Sequence, residues 1–248
     1  MKEFTVKIKS LTSLWTGDAD RKNTTLRETG IIGSLRWWYE ALIRGLGGTA
    51  CDPTDTKCEG KNHCDACELF GCTGWARKFR LEVKKINNET ILQLIKLREV
   101  EDVEWGLLSK TLKIIASWGA IGGKIAEFKY GLIKIVQNDL ERFSLGKAQL
   151  KKYLKKQGTS VENPNITRFV FINKDLNYET TKKTKDELHF LKGQLGKAKR
   201  YFYKTFNGKP YRFFAYAEND NEYNRMIGFL SKSGVQFVKG KEIIGELK

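Results

Sequence analysis

All five cysteines fall between Cys51 and Cys72, in the spacing Cys51-x6-Cys58-x5-Cys64-x2-Cys67-x4-Cys72. Thiolates bind zinc tetrahedrally, and Cys64-Asp65-Ala66-Cys67 has the close spacing of a zinc knuckle, although a second tight pair is missing. The pattern therefore nominates a structural zinc on Cys51, Cys58, Cys64 and Cys67, with His63 as a substitute ligand. The other reading is a set of plain thiols. An odd number of cysteines bunched in one segment does not suit a secreted disulfide framework. Cys72, in ELFGCTGWARKFR, reads as a small apolar packing residue.

A second group of residues has the chemistry to hold a nucleic acid. In ETGIIGSLRWWYEALIRG, residues 28–45, helical spacing gathers Ile31, Ile32, Leu35, Trp38, Tyr39, Leu42 and Ile43 into one apolar stripe. Trp37 is left on the opposite face with Gly33, Glu40 and Arg44, beside Arg36. Bases stack on aromatic surfaces flanked by guanidinium groups, so Gly33, Arg36, Trp37 and Arg44 are candidate RNA contacts. The alternative is that another segment of the chain covers Trp37, since large aromatics are usually buried. Further along, SWGAIGGKIAEFKYG (117–131) sets Gly119, Gly122 and Gly123 between a helix and a strand, followed by Lys124 and Lys129. Glycine N–H groups with nearby lysines form anion cradles. A helix C-cap and turn would use the same glycines. The loop is not a Walker A motif, because Trp118 stands where its first glycine belongs and Ile125 where a Ser or Thr belongs. Arg77, Lys78 and Arg80 alternate with apolar residues at the start of a strand and add three candidate phosphate contacts.

The catalytic inventory is thin. Neither of the two histidines lies in a nucleophile or metal motif, and His189 reads as a core-edge residue of a helix. Asp18 and Asp20 in the loop TGDADRKNTT could hold a divalent ion near a phosphate, but aspartates also serve as turn residues.

These residues must be positioned by an α+β scaffold. Phe4, Val6 and Ile8 alternate as a strand, the 28–45 helix follows, and 46–76 forms a Cys- and Gly-rich insertion. Strands are expected around 79–83, 91–97 and 132–136, with a helix over 103–117 whose Val103, Leu107, Thr111, Ile114 and Ile115 face inward. The order β-α-β-β-α-β is the ferredoxin-like, RRM-like topology. Residues 151–156 read as a lysine-rich helix or linker. Beyond them the pattern gives a strand at 168–172, a long helix over 186–206 with Leu188, Leu191, Leu195, Ala198 and Phe202 inward, a strand at 211–216, a helix at 221–231 and a short strand at 235–238. The expected division is a first domain over 1–140 and a partial second ferredoxin-like unit over 141–248.

Across 248 residues, 45 Lys and Arg oppose 29 Asp and Glu, a formal charge of +16. Such a field draws polyanions, nucleic acid first. No apolar run is long enough for a spanning helix, and MKEFTVKIKS alternates like a strand rather than a signal peptide, so a cytoplasmic protein without a membrane partner is expected.

The TSLWTGD loop, ETGIIGSLRWWYEALIRG, the ACDPT and CDACELFGCTGWARKFRL segments and the SWGAIGGK loop, taken in order, resemble the RAMP superfamily of CRISPR systems. More narrowly, they look like the first subunits of type III-B Cmr effector complexes. The likeness covers about residues 1–135. Where that family's glycine loop runs into an aromatic between glycines, this chain has Phe128-Lys129-Tyr130-Gly131, and its C-terminal half matches poorly. The resemblance implies tandem ferredoxin-like domains, binding of CRISPR guide and target RNA toward the guide's 3′ end, contacts with other Cmr subunits in antiviral defence, and no cutting by this chain. A RAMP endoribonuclease that processes or cleaves CRISPR RNA is the alternative, and would need His189 or the Asp18/Asp20 pair. A zinc-stabilised basic protein of ribosome or membrane is a third reading.

Overall fold

The computed structural model describes residues 3–17, 22–23, 25–86, 89–173, 176–195 and 198–247. Phe4, Val6 and Ile8 of β1 (Glu3–Ser10) point inward, as their alternation requires, beneath α1 (Glu28–Gly45). The insertion that follows contains a short helix, α2 (Asp65–Phe70). The chain then forms β2 (Phe79–Ile86), β3 (Glu89–Lys96), α3 (Asp102–Trp118) and β4 (Ile133–Asn138). Glu101 and Glu104 close a capping box at the start of α3. The strands make an antiparallel sheet ordered β2-β3-β1-β4, as the ferredoxin-like reading requires.

The second half repeats this plan. After α4 (Lys147–Tyr153) come β5 (Phe169–Ile172), α5 (Tyr178–Glu187), β6 (Tyr201–Phe206), β7 (Lys209–Tyr216), α6 (Asp220–Lys232), β8 (Val238–Lys239) and α7 (Gly240–Ile243). Its sheet is ordered β6-β7-β5-β8, so all four strands expected of a ferredoxin-like unit are present. The unit is fuller than the partial one its sequence predicts, because β8 is only two residues long and leaves almost no pattern.

The long helix expected over 186–206 does not form. Its first apolar residues, Leu188 and Leu191, are buried around a 3-10 turn, Leu195 is fully exposed, and Phe202 lies on β6. The deciding signal is Asn207-Gly208, both with positive φ (50° and 71°), which closes a tight hairpin between the aromatic-rich runs YFYKTF and KPYRFFAY. Helical spacing of leucines upstream is weaker than that turn chemistry. The last strand also starts at Val238 rather than Val235.

The two sheets sandwich the helices of the first unit. Every residue of β5 is buried, and its alternation serves two cores: Phe169 and Phe171 face α1 and α3, whereas Val170 and Ile172 pack with Met226 and Leu230 of α6. The face of α1 opposite the first sheet is therefore covered. Trp37 meets Phe169, Phe202 and Tyr216 edge-on at centroid distances of 6.0, 6.3 and 6.0 Å, and Trp38 at 5.0 Å. Trp37 is thus not a surface stacking platform; the second sheet occupies the place a base would take. Trp38 is fully buried and donates its indole N–H to the Ala120 carbonyl at 2.9 Å. Among the described residues no helix is long and apolar enough to cross a membrane.

Removing either indole should show which face of α1 carries stability. Trp38→Ala should destabilise the fold by roughly 3 to 5 kcal/mol through a cavity, and Trp37→Ala by about 2 kcal/mol through lost aromatic contacts. Denaturant titration of both variants checks this, and a Trp37→Ala protein as stable as the parent would contradict the packed role of that ring.

Candidate nucleic-acid interface and cysteine cluster

The Sγ atoms of Cys51, Cys58, Cys64 and Cys67 all lie within 4.8 Å of one another, and all four residues are buried. A tetrahedral zinc with bonds of about 2.3 Å sets its sulfurs roughly 3.8 Å apart, so this donor set could hold a metal ion. Local folding builds the cluster. Asp65 at the start of α2 accepts from the Thr49 backbone N–H at 2.8 Å and from Lys155 N–H at 2.9 Å, tying both flanks to the helix. A strap over 155–161 closes the top, with Val161 N–H bonded to the Ala50 carbonyl at 3.0 Å. Backbone N–H groups of Cys51 and Cys64 point at the sulfurs of Cys64 and Cys58, each at 3.3 Å. Contact with Cys64 and Cys67 draws the Cys51 thiol toward the thiolate, and the same contacts push the Cys64 and Cys67 thiols up. Four unneutralised thiolates cannot share so small a volume. His63 is not a substitute ligand: its Nε2 is 2.6 Å from Glu68 Oε2, its Nδ1 is 2.9 Å from the Gly60 carbonyl oxygen, and its ring stacks on Trp75. Cys72 is half-buried and outside the cluster, its backbone paired with Trp75.

Several cations expected to meet phosphate are instead internal. Arg36 donates to Glu40 at 2.7 Å, to the Gly71 carbonyl at 2.9 Å and to Cys67 Sγ at 3.1 Å. It serves the cysteine cluster, where its positive charge offsets thiolate character. Arg44 is buried and donates to the carbonyls of Ala50, Cys51 and Pro164. Four of its five N–H donors are taken up inside the fold. Lys78 is buried between Glu104 at 2.8 Å and Glu68 at 2.6 Å. Burial works against its charge, but the two carboxylates outweigh that and raise its pKa. Burial also lifts Glu104, against the pull of Lys78. For Lys78 the partner Glu104 stands 26 residues along the chain, where no local pattern points to it.

The glycine loop between α3 and β4 is also committed inward. Gly119 N–H caps α3 on the carbonyls of Ile114 and Ile115, and Gly123 N–H donates to the Trp15 carbonyl at 2.6 Å. Gly122 has φ 97°, and a Cβ there would sit 2.7 Å from the Trp15 carbonyl oxygen. Close approach to Trp15 explains these glycines, and the phosphate cradle expected of Gly122 and Gly123 is not presented. The tip beyond them is different. Lys124, Phe128 and Lys129 are exposed, Phe128 by 56 %, with Lys124 Nζ 4.6 Å over the Trp15 ring and Lys129 Nζ 5.2 Å over Tyr130.

Of the remaining candidates, Arg80 is exposed and paired with Glu82 at 2.7 Å. Arg77 is half-buried over the Phe79 ring. Gly33 is exposed, with nothing within 4 Å of where a Cβ would lie. His189 sits exposed on a 3-10 turn rather than at a helix core edge. Asp18 and Asp20 lie outside the described residues.

Two βαββαβ units in tandem, the first closed by a glycine loop after its second helix, define the architectural class. Residues 7–134 match the RAMP superfamily. The chain belongs to that superfamily. Among solved structures, it is similar to a chain in the cryo-EM structure of the Type III-B Cmr-beta bound to cognate target RNA and AMPPnP, state 2, in the presence of ssDNA. Identity is 13 %, the likeness covers 94 % of this chain and 99 % of that one, and the TM-score is 0.43. No curated protein matches the sequence.

The contrast between buried and exposed cations is testable. Lys78→Ala leaves Glu68 and Glu104 without their shared cation and should destabilise the fold by roughly 3 to 5 kcal/mol. Arg80→Ala, two residues on but exposed, should change stability by less than about 0.5 kcal/mol. Equal melting temperatures for the two variants would contradict the buried ion-pair network.

Proposed function

We propose that this RAMP protein is a non-catalytic RNA-binding subunit of a type III-B (Cmr) CRISPR effector in the cytoplasm. It contacts guide and target RNA toward the guide's 3′ end, among other Cmr subunits. The observation that carries this reading is the exposed tip of the glycine loop on the RAMP unit, where Phe128 stands between Lys124 and Lys129. An aromatic face between two lysines suits one stacked base and its adjoining phosphates. The formal charge of +16 adds a long-range attraction that carries no sequence preference. The Cmr assignment rests on the ordered motifs from TSLWTGD to SWGAIGGK.

Incubating the protein with labelled guide and target RNA, with and without Mg²⁺, tests both halves of this reading. The expected outcome is salt-sensitive binding with no product. Phe128→Ala should weaken binding by roughly 1 to 3 kcal/mol, and Lys129→Ala should lower the salt slope by about one phosphate contact. Affinity that is flat in salt, or cleavage by the isolated protein, would overturn the reading.

The buried cysteine cluster serves, in the same proposal, as a structural zinc site with Cys51, Cys58, Cys64 and Cys67 as its ligands. Four thiols at this separation, with N–H groups and Arg36 aimed at the sulfurs, fit the donor chemistry zinc prefers. Metal analysis of the purified protein should find zinc, and Cys64→Ser should lower both zinc content and melting temperature, because structural zinc contributes to folding directly. Zinc-free protein that melts like the parent would reject the site.

A further inference from the structure

The loop that ends in Phe128 is held from behind by the second unit. Lys204 of β6 is fully buried, and its Nζ donates to the carbonyl oxygens of Ile125, Glu127 and Tyr130 at 2.6, 2.8 and 2.7 Å. Its neighbours complete the grip. Lys199 Nζ donates to the Ala126 carbonyl at 3.2 Å, and Thr205 N–H donates to the Phe128 carbonyl at 3.2 Å. Five carbonyls between 125 and 130 therefore face the second sheet. Their side chains at 128 and 129 are left on the solvent side. Arg212 of β7 fixes the other end of the segment, donating to the carbonyls of Ile115, Ala116 and Gly119 where α3 stops.

A three-donor ammonium matches three carbonyls, whereas a neutral amine has only two protons to give. Without that cation the oxygens would be buried with too few donors, and a loop facing water could satisfy them only by moving. We infer that Lys204 is a positioning residue for RNA: from the second domain it locks the glycine loop of the first into the shape that presents Phe128, Lys124 and Lys129. This rests on the RNA-binding reading above for its consequence, but not for the lock itself.

Burial draws the Lys204 ammonium down to about 7, opposed by Glu127 and reinforced by the nearby charges of Lys199 and Arg212. The folded value lies below the unfolded one, so losing the proton relieves a burial penalty, and Lys204's contribution to global stability rises as pH climbs from 7 toward the ordinary lysine range.

Hydrogen exchange of the full chain, expressed as protection factors, reads the lock without RNA. Residues 120–131 should lose protection in Lys204→Met, while protection in β1 and β3 is unchanged. RNA affinity should fall roughly tenfold in Lys204→Met, and Lys129→Ala should add little in that background, because both changes act through one loop. If Lys204→Met fails to fold, Lys199→Ala, which removes the neighbouring donor to the Ala126 carbonyl, decides by the same readout. Unchanged protection at 120–131 in the variant overturns the lock. Lost protection in a protein that binds no RNA upholds the lock and overturns the RNA-binding reading instead.

Discussion

The structure depends on an aromatic layer between the second sheet and the helices of the first unit. Phe169, Phe171, Phe202, Phe214 and Tyr216 present one face of the second sheet to Trp37, Trp38 and Trp118. Aromatic rings of this size bury more apolar area than any other side chains, and their edge-on contacts add specificity of orientation. Once the layer forms, the C-terminal half of α1 has no free face: the first sheet covers one side, and the second sheet and the cysteine insertion cover the rest, leaving exposed positions such as Gly33 only in its first turns. The two ferredoxin-like units are consequently one packed body rather than beads on a linker, and that burial decides which basic residues remain available to a polyanion.

Burial also explains how a chain of formal charge +16 keeps so many cations inside. Arg36, Arg44, Lys78, Lys204 and Arg212 each meet carbonyls, carboxylates or thiols in place of water. A buried charge is tolerated when most of its donors are matched, as for Arg212, whose Nη1 and Nη2 are satisfied while its Nε is not, and removing one partner is far more damaging than never having had the pair. Three of these cations, Arg44, Lys204 and Arg212, spend their donors chiefly on backbone carbonyls at the ends of helices and in loops. They act as pins that set loop shape, and the glycine loop is the segment most heavily pinned.

Much of the first unit was legible in the sequence. Alternation at Phe4, Val6 and Ile8 and the apolar stripes of α1 and α3 gave elements close to those found, and the strand and helix order led directly to the ferredoxin-like plan. The four cysteines were nominated from spacing alone, and their sulfurs do converge. What the pattern could not carry was tertiary. Trp37 lies off the apolar stripe because it packs on the second sheet, against residues beyond 165, and no local period encodes that. Lys78 and Arg44 look like surface cations until Glu104 and the Pro164 carbonyl are brought to them. In the second half, the helical spacing of the leucines is fortuitous, and Asn207-Gly208 is the local signal that sets the structure there as a hairpin.

The central claim is that RNA meets the tip of the glycine loop and not the tryptophan face of α1. Ultraviolet cross-linking of single-stranded RNA to the intact protein, with the modified peptide identified by mass spectrometry, addresses it most directly. The adduct should fall within residues 124–131, at or beside Phe128. An adduct on Trp37, within residues 28–45, would contradict the account, because that ring would have to leave the aromatic layer on which the fold is built.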